Sequence, residues 1–151
     1  MSEANPICVA LDTPDIARAQ ALARQLRPHV GYLKIGMEFF YAHGSRGYEA
    51  VAAAGLPIFL DLKLHDIPNT VAEGMRSLMR LSPSPALINL HASGGMAMMQ
   101  AAAEAVGGRF RLAGGEPGDW FTVIGVMADI RQADPDDDDP QFPVAFVPYA
   151  Y

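Results

Sequence analysis

At 151 residues and a formal net charge of −6, the chain has the size of one domain and no basic excess that would favour nucleic acid as a partner. Half of its residues are hydrophobic and 19% are charged, which is typical of a soluble globular α/β protein. No apolar run is long enough to cross a membrane, and the N-terminus, MSEANP, lacks the features of a signal peptide. We therefore expect a cytoplasmic protein that binds neither nucleic acid nor membrane.

The first apolar run extends from Ile7 to Leu11 and contains the single cysteine, Cys8. We expect this run to be a buried strand and Cys8 to be a buried thiol. A single cysteine excludes a disulfide within the chain, which fits a reducing compartment. Asp12 or Thr13 is predicted to cap the following helix, with Pro14 at its first position.

Strand and helix patterns then alternate along the chain. Tyr32–Gly36 is predicted to be a strand that carries Lys34, and Met37–Ala54 a helical region interrupted at residues 43–47. The other predicted strands are residues 58–64, 86–92 and 121–126, and the other predicted helices are residues 15–27, 68–80 and 96–106. Four strand–helix units and a fifth strand predict parallel βαβ units of an α/β fold.

The C-terminal segment differs in composition from everything before it. Residues 133–140 read ADPDDDDP, a block of like charges and prolines that cannot bury a core. We therefore divide the chain into a domain of residues 1–130 and an acidic, proline-rich tail of residues 131–151 that we expect to be disordered.

The most informative stretch is Pro57–Val71, which reads PIFLDLKLHDIPNTV. Asp61 and Lys63 are two residues apart in a predicted strand, so alternation places their side chains on one face. Asp66 follows the strand end. Charges at the end of an apolar strand are costly to desolvate unless they are paired or used. The bare pattern Asp-x-Lys-x-x-Asp is compatible with a structural ion pair and with a catalytic charge network.

Other polar residues also lie at the ends of predicted strands. Asp12 follows the first strand, Lys34 lies in the second, and His91 and Ser93 lie at the end of the fourth. Parallel α/β folds place their functional sites at the carboxyl ends of the strands, so this clustering favours catalysis. We expect His65 and His91 to be hydrogen-bonding wall residues, and the histidine and cysteine spacing predicts no metal site.

Four blocks closely resemble the orotidine 5'-phosphate decarboxylase family in the same order. They are Val9–Asp12, Leu33–Gly36, Phe59–Val71 and Asn89–Gly95, and the resemblance covers about residues 7–126. It implies part of a (β/α)8 barrel: about four βα units plus a fifth strand. It also implies a homodimer with a shared active site, orotidine 5'-phosphate as the nucleotide substrate, and no cofactor or metal.

The resemblance implies roles for the charged residues. Lys63 would protonate the carbon that loses carbon dioxide, and Asp61 would lie beside the departing carboxylate and help to hold Lys63. Lys34 would contact the ribose side, and Asp12 would bind the ribose hydroxyls. Fixed charges in a site without water can stabilise a carbanion that has no electron sink.

Further contacts are implied for the segments after the third and fourth strands. Asp66 would reach into the partner subunit's site, with Ile67 and Thr70 beside it. Ser93 would lie near the pyrimidine, and His91 would lie in the wall formed by the fourth strand.

The chain also departs from the family pattern. A (β/α)8 barrel typically needs about 250 residues. The family holds the phosphate with a Pro-Gly-Ile-Arg-like stretch and a Gly-Arg pair after its last strands, and these later segments have no counterpart in this sequence. Met127 stands roughly where the family has a threonine after the fifth strand. We expect a truncated or frameshifted chain with little or no activity alone. Two alternatives are a sibling magnesium-dependent sugar-phosphate decarboxylase or aldolase of the same suprafamily, and a non-catalytic fragment.

Overall fold

The computed structural model of the chain describes residues 5–107 and 126–127. Strands alternate with helices in the predicted order. The strands are β1 (Cys8–Ala10), β2 (Tyr32–Gly36), β3 (Ile58–Leu64), β4 (Leu87–His91) and β5 (Val126–Met127). The helices are α1 (Ile16–Leu26), α2 (Met37–Ala52), α3 (Pro68–Leu78) and α4 (Gly95–Ala105), with a short 3-10 helix at Ala92–Gly94. This arrangement confirms an incomplete α/β fold.

The described residues form two compact units. The first comprises residues 5–62 and 78–88, and the second comprises residues 63–77, 89–107 and 126–127. In the first unit β1 pairs in parallel with β2, and β2 pairs in parallel with β3. In the second unit β4 pairs in parallel with β5. Each described strand pairing is therefore of the parallel kind that βαβ units produce.

The core of the first unit is built on β2 and β3. Leu33, Ile35 and Leu60 have no exposed surface, and each contributes about 1.5–3 kcal/mol by leaving water. Helix α2 packs on β2 and on α1, where the small residues Ala19 and Ala23 are fully buried. The strand that carries Lys34 is therefore fixed by packing.

The prediction of a buried first strand with a buried thiol is wrong. Cys8 and Ala10 are exposed and Val9 is half-buried. The reason is the position of β1, which is first in the strand order and has β2 as its one neighbour among the described strands. An apolar run at such an edge keeps part of its surface in solvent.

The predicted cap of the first helix is also wrong. Asp15 is the N-cap residue, and its Oδ1 accepts a hydrogen bond of 3.0 Å from the Arg18 backbone N–H. Thr13 is buried instead, and its Oγ1 accepts from the Asp15 backbone N–H at 3.3 Å. The helix consequently begins at Ile16, after Pro14.

The predicted interruption of the second helix is confirmed. Gly44 has φ 56° and ψ −146°, so α2 consists of two helical segments joined at this residue. Only glycine adopts such a conformation readily. The neighbouring His43 has a structural role, because its Nε2 contacts the Pro14 carbonyl oxygen and its ring packs edge-on against Phe39.

In the second unit, α3 begins at Pro68 and buries Val71 and Met75, while α4 buries Met98 and Ala102. Helix α3 ends two residues earlier than predicted, at Leu78. Val126 is the one residue of the predicted fifth strand that is described. The tail of residues 131–151 lies outside the described residues.

No helix in the described ranges combines the length and apolar character that crossing a membrane requires.

Candidate active site

The first unit brings three of the predicted site residues together. Lys34 Nζ lies 3.0 Å from Asp61 Oδ2 and 3.9 Å from Asp12 Oδ1. Parallel pairing places Gly36 opposite Asp61 and Lys34 opposite Ala10, so all three residues lie toward the carboxyl ends of β1, β2 and β3. The structure thus forms an alternating row of carboxylate, ammonium and carboxylate.

The two carboxylates differ in their surroundings. Asp61 is the one buried charged residue in the described ranges, with 8% of its side chain exposed, whereas 76% of the Asp12 side chain is exposed. A buried carboxylate requires a compensating cation, and the Lys34–Asp61 distance is that of a charge-assisted hydrogen bond. The contact to Asp12 is looser and screened by solvent.

The turn after β1 fixes Asp12. The Leu11 backbone N–H donates to the Lys34 carbonyl oxygen at 3.0 Å, which extends the β1–β2 pairing by one residue. The Thr13 backbone N–H then donates to the Leu11 carbonyl oxygen, also at 3.0 Å. Asp12 is therefore held in a tight turn at the strand end while its carboxylate remains open to solvent.

Cys8 is sensitive to this row of charges. Although its side chain is exposed, the surrounding protein partly desolvates the thiol, and this raises the pKa of Cys8. Lys34 lowers that pKa and Asp61 raises it. The reactivity of the Cys8 thiol should therefore report on the charges of both Lys34 and Asp61.

Lys63 belongs to the second unit and has an unusual backbone. Its φ is 52°, which is the left-handed region, and it is the one such non-glycine residue among those described. A residue with a Cβ atom adopts this conformation at a cost of about 1–3 kcal/mol, and such residues cluster at functional sites. The Lys63 backbone N–H donates to Asn89 Oδ1 at 2.7 Å. The regular alternation of side chains between the two faces of a strand is interrupted at Lys63. That the Asp61 and Lys63 side chains lie on one face therefore stays a prediction.

Asp66, Ile67 and Thr70 are exposed at the start of α3. Asp66 Oδ1 accepts a hydrogen bond of 2.7 Å from the Ile67 backbone N–H. The Val71 backbone N–H donates to the Ile67 carbonyl oxygen at 3.2 Å and starts the helix, whose first residue is Pro68. The positive end of the helix dipole favours the Asp66 carboxylate at this position.

His91 ends β4, and Ser93 lies in the short 3-10 helix that follows. The rings of His65 and His91 lie 5.3 Å apart between centroids with an angle of 34° between their planes. Ser93 is exposed within the 3-10 helix. A Cβ atom on Gly94 would collide with the end of the Met98 side chain and come within 3.2 Å of the His65 ring, so a larger residue there would require Met98 to move.

The predicted residues thus fall into two sets. Asp12, Lys34 and Asp61 belong to the first unit, and the second unit holds Lys63, Asp66, Ile67, Thr70 and Ser93. That the two sets form one site stays a prediction. Within residues 5–107 and 126–127, no three histidine, cysteine, aspartate or glutamate side chains group as metal ligands would.

Asn89 is a buried polar residue that was not among the predicted site residues. It is the one amide in the apolar run of β4, and it is fully buried. A polar side chain in the middle of such a run is a recognisable signal, because burial without a hydrogen-bond partner is costly.

Known proteins share the sequence blocks that carry the family resemblance. The profile of the Orotidine 5'-phosphate decarboxylase / HUMPS family matches residues 5–114. This chain belongs to that family. Orotidine 5'-phosphate decarboxylase from Erythrobacter litoralis is 51% identical over 110 residues, which cover 73% of this chain and 48% of that protein. The enzyme of the same name from Novosphingobium aromaticivorans is 57% identical over 103 residues, covering 68% and 45%.

Among solved structures, orotidine 5'-phosphate decarboxylase from Lactobacillus acidophilus is 34% identical with a TM-score of 0.60. The match covers 82% of this chain and 52% of the solved one. The chain therefore spans about half the length of the decarboxylases that it matches.

Proposed function

We propose that this chain supplies the charged residues of an orotidine 5'-phosphate decarboxylase, which forms uridine 5'-phosphate and carbon dioxide in de novo pyrimidine biosynthesis. The observation that carries the proposal is the buried Asp61 carboxylate with Lys34 Nζ at 3.0 Å, in a member of this family. Charges that are already in place stabilise a transition state without reorganising during the reaction.

The proposed chemistry is a direct decarboxylation. The bond between the pyrimidine carbon and its carboxylate breaks, carbon dioxide leaves, and the electron pair stays on the ring carbon. The Lys63 ammonium stabilises the developing negative charge and transfers a proton to that carbon. Asp61 lies beside the departing carboxylate in this scheme, where repulsion between like charges favours its loss.

The ribose side of the nucleotide is assigned to the first unit. Asp12 would accept hydrogen bonds from the ribose hydroxyls, and Lys34 would donate to them. The exposed Asp12 carboxylate supports this role, because it remains accessible to a ligand while its backbone is held by the turn. Ser93 would contact the pyrimidine, and its exposure within the short 3-10 helix is compatible with that assignment.

The family resemblance also leads us to propose a cytoplasmic homodimer with a shared site. Asp66 would enter the partner subunit's site with Ile67 and Thr70 beside it. The exposure of Ile67 supports this role, because 66% of its surface remains accessible to a partner.

The activity test uses a chimera, because the chain matches about half of each relative. Residues 5–107 replace the matching segment of the Erythrobacter litoralis enzyme, and uridine 5'-phosphate formation from orotidine 5'-phosphate is measured. We expect turnover that EDTA leaves unchanged. Loss of activity in EDTA with recovery in magnesium would favour the sibling sugar-phosphate enzymes, and a folded chimera without turnover would contradict the proposal. We expect the 151 residues alone to show little or no turnover.

A further inference from the structure

The conformation of Lys63 requires something to hold it. A left-handed φ brings the Cβ atom of a lysine close to its own backbone, so an unrestrained chain would return to the extended conformation of a strand. Such residues persist only where the surrounding structure determines them. The restraint on Lys63 should therefore be visible among its contacts.

Asn89 provides that restraint. Its side-chain Oδ1 accepts from the Lys63 backbone N–H at 2.7 Å, which is at the short end of the range for an N–H to oxygen bond. Asn89 is fully buried and lies 26 residues away in sequence. Strand β4 fixes the backbone of Asn89, and burial limits its rotamers. The position of the acceptor oxygen is therefore fixed within the second unit.

We propose that Asn89 is a positioning residue for Lys63. By accepting a hydrogen bond from the Lys63 backbone N–H, Asn89 keeps Lys63 in the left-handed conformation. This conformation sets the direction in which the Lys63 side chain leaves β3. The consequence for catalysis rests on the proposed function, in which Lys63 is the proton donor. A proton donor must lie within hydrogen-bond reach of the carbon that it protonates, so its direction matters as much as its charge.

If Asn89 had only a structural role in β4, a different result would be expected on its replacement. If the amide only stabilised β4, its removal would weaken the fold without changing the conformation of one distant residue. Positioning predicts a local change at Lys63 that stability measurements alone would not reveal.

The chain offers an internal control for this distinction, because Lys34 and Lys63 are its two lysines. Labelling the full chain with [15N]lysine therefore gives two backbone amide signals. In the unaltered protein, Lys63 should show the strong intraresidue amide–Hα contact that is diagnostic of a positive φ, and Lys34, which lies in a regular strand, should not.

Asn89→Leu removes the acceptor while keeping a similar volume. We expect the Lys63 amide to lose its positive-φ signature and to exchange with solvent about tenfold faster, the factor expected for one net hydrogen bond. The Lys34 signal should remain unchanged. Ile88→Ala, which perturbs the neighbouring buried position of β4, is the matched control and should leave the Lys63 signature in place. A Lys63 signature that survives in folded Asn89→Leu would overturn the proposal.

A second measurement decides the matter if Asn89→Leu does not fold. In the unaltered chain, labelled with [15N]lysine and [13C]asparagine, scalar coupling across the hydrogen bond should join the Lys63 nitrogen to the Asn89 side-chain carbonyl. Absence of this coupling, together with a negative φ at Lys63, would refute the proposal. Neither measurement uses turnover, so a failure here is distinguishable from a failure of the proposed decarboxylase activity.

Discussion

Breaking the Lys34–Asp61 pair should cost the fold substantial free energy. Two unit charges 3.0 Å apart attract by about 5–6 kcal/mol at an effective dielectric constant near 20. Losing one partner of a buried pair typically costs about 3–5 kcal/mol. A quarter of the Lys34 side chain is exposed, so water can replace part of the lost interaction. We therefore expect Lys34→Met to lower the free energy of unfolding by about 2–3 kcal/mol.

A double-mutant cycle isolates the pair from other effects. Asp61→Asn alone and Lys34→Met alone should each destabilise the chain in urea unfolding. The double variant should be more stable than the sum of the single changes predicts, by about 2 kcal/mol, because each single change already removes the same interaction.

The exposed pair of Glu73 and Arg76 is the matched control. Its side chains are 63% and 46% exposed, so its coupling should not exceed about 0.5 kcal/mol. Additive effects of Lys34→Met and Asp61→Asn, with a coupling as small as in the control cycle, would refute the assignment of a buried ion pair.

Tyr48, Cys8 and Asp15 each lead to a further expectation that can be measured. The buried Tyr48 hydroxyl has no hydrogen-bond partner in the described part of the chain, so Tyr48→Phe should stabilise by about 1 kcal/mol and raise Tm by about 2–4 °C. Burial raises the pKa of Tyr48 from 10.0 to about 12, so the tyrosine ionises more readily in the unfolded chain than in the folded one. The free energy of unfolding should therefore be unaffected by this group below pH 10 and fall as pH rises from 10 through 12, and Tyr48→Phe should remove this alkaline loss in urea titrations. Iodoacetamide should alkylate Cys8 more slowly in Lys34→Met and faster in Asp61→Asn at one fixed pH, because these changes raise and lower its pKa respectively. Asp15→Ala should lower the free energy of unfolding by about 1 kcal/mol through loss of the helix cap, as measured in urea.

The sequence was sufficient to predict the central strands. β2 and β3 have the predicted bounds, Tyr32–Gly36 and Ile58–Leu64, because buried parallel strands are short apolar runs between turn residues. The interruption of α2 was equally predictable from its two glycines. These features depend on local composition, which the sequence displays directly.

The ends of elements were less predictable. Asp12, Thr13 and Asp15 are all residue types that cap helices, and the choice depends on which one the fold buries. Thr13 is buried and Asp15 is not, so Asp15 takes the cap. The exposure of Cys8 likewise depends on how many strands flank β1, which an apolar run does not reveal.

The candidate site was predictable in its residue types but not in its contacts. The strand ends indicated Lys34 and Asp61, and the structure pairs them. The left-handed conformation of Lys63 and its hydrogen bond to Asn89 could not be predicted from the sequence. A hydrogen bond between a side chain and a backbone N–H 26 residues away depends on the tertiary structure. The sequence shows only that a buried strand contains an amide.

The most direct test of the proposed function is the rate of uridine 5'-phosphate formation by the chimera with and without Lys63. Lys63→Ala should reduce this rate by at least about hundredfold, the lower range for loss of a general acid. Arg76→Ala removes an exposed cation on α3 and should leave the rate unchanged. Equal rates for the chimera and its Lys63→Ala variant, with both proteins folded, would contradict the assignment of Lys63 as the proton donor.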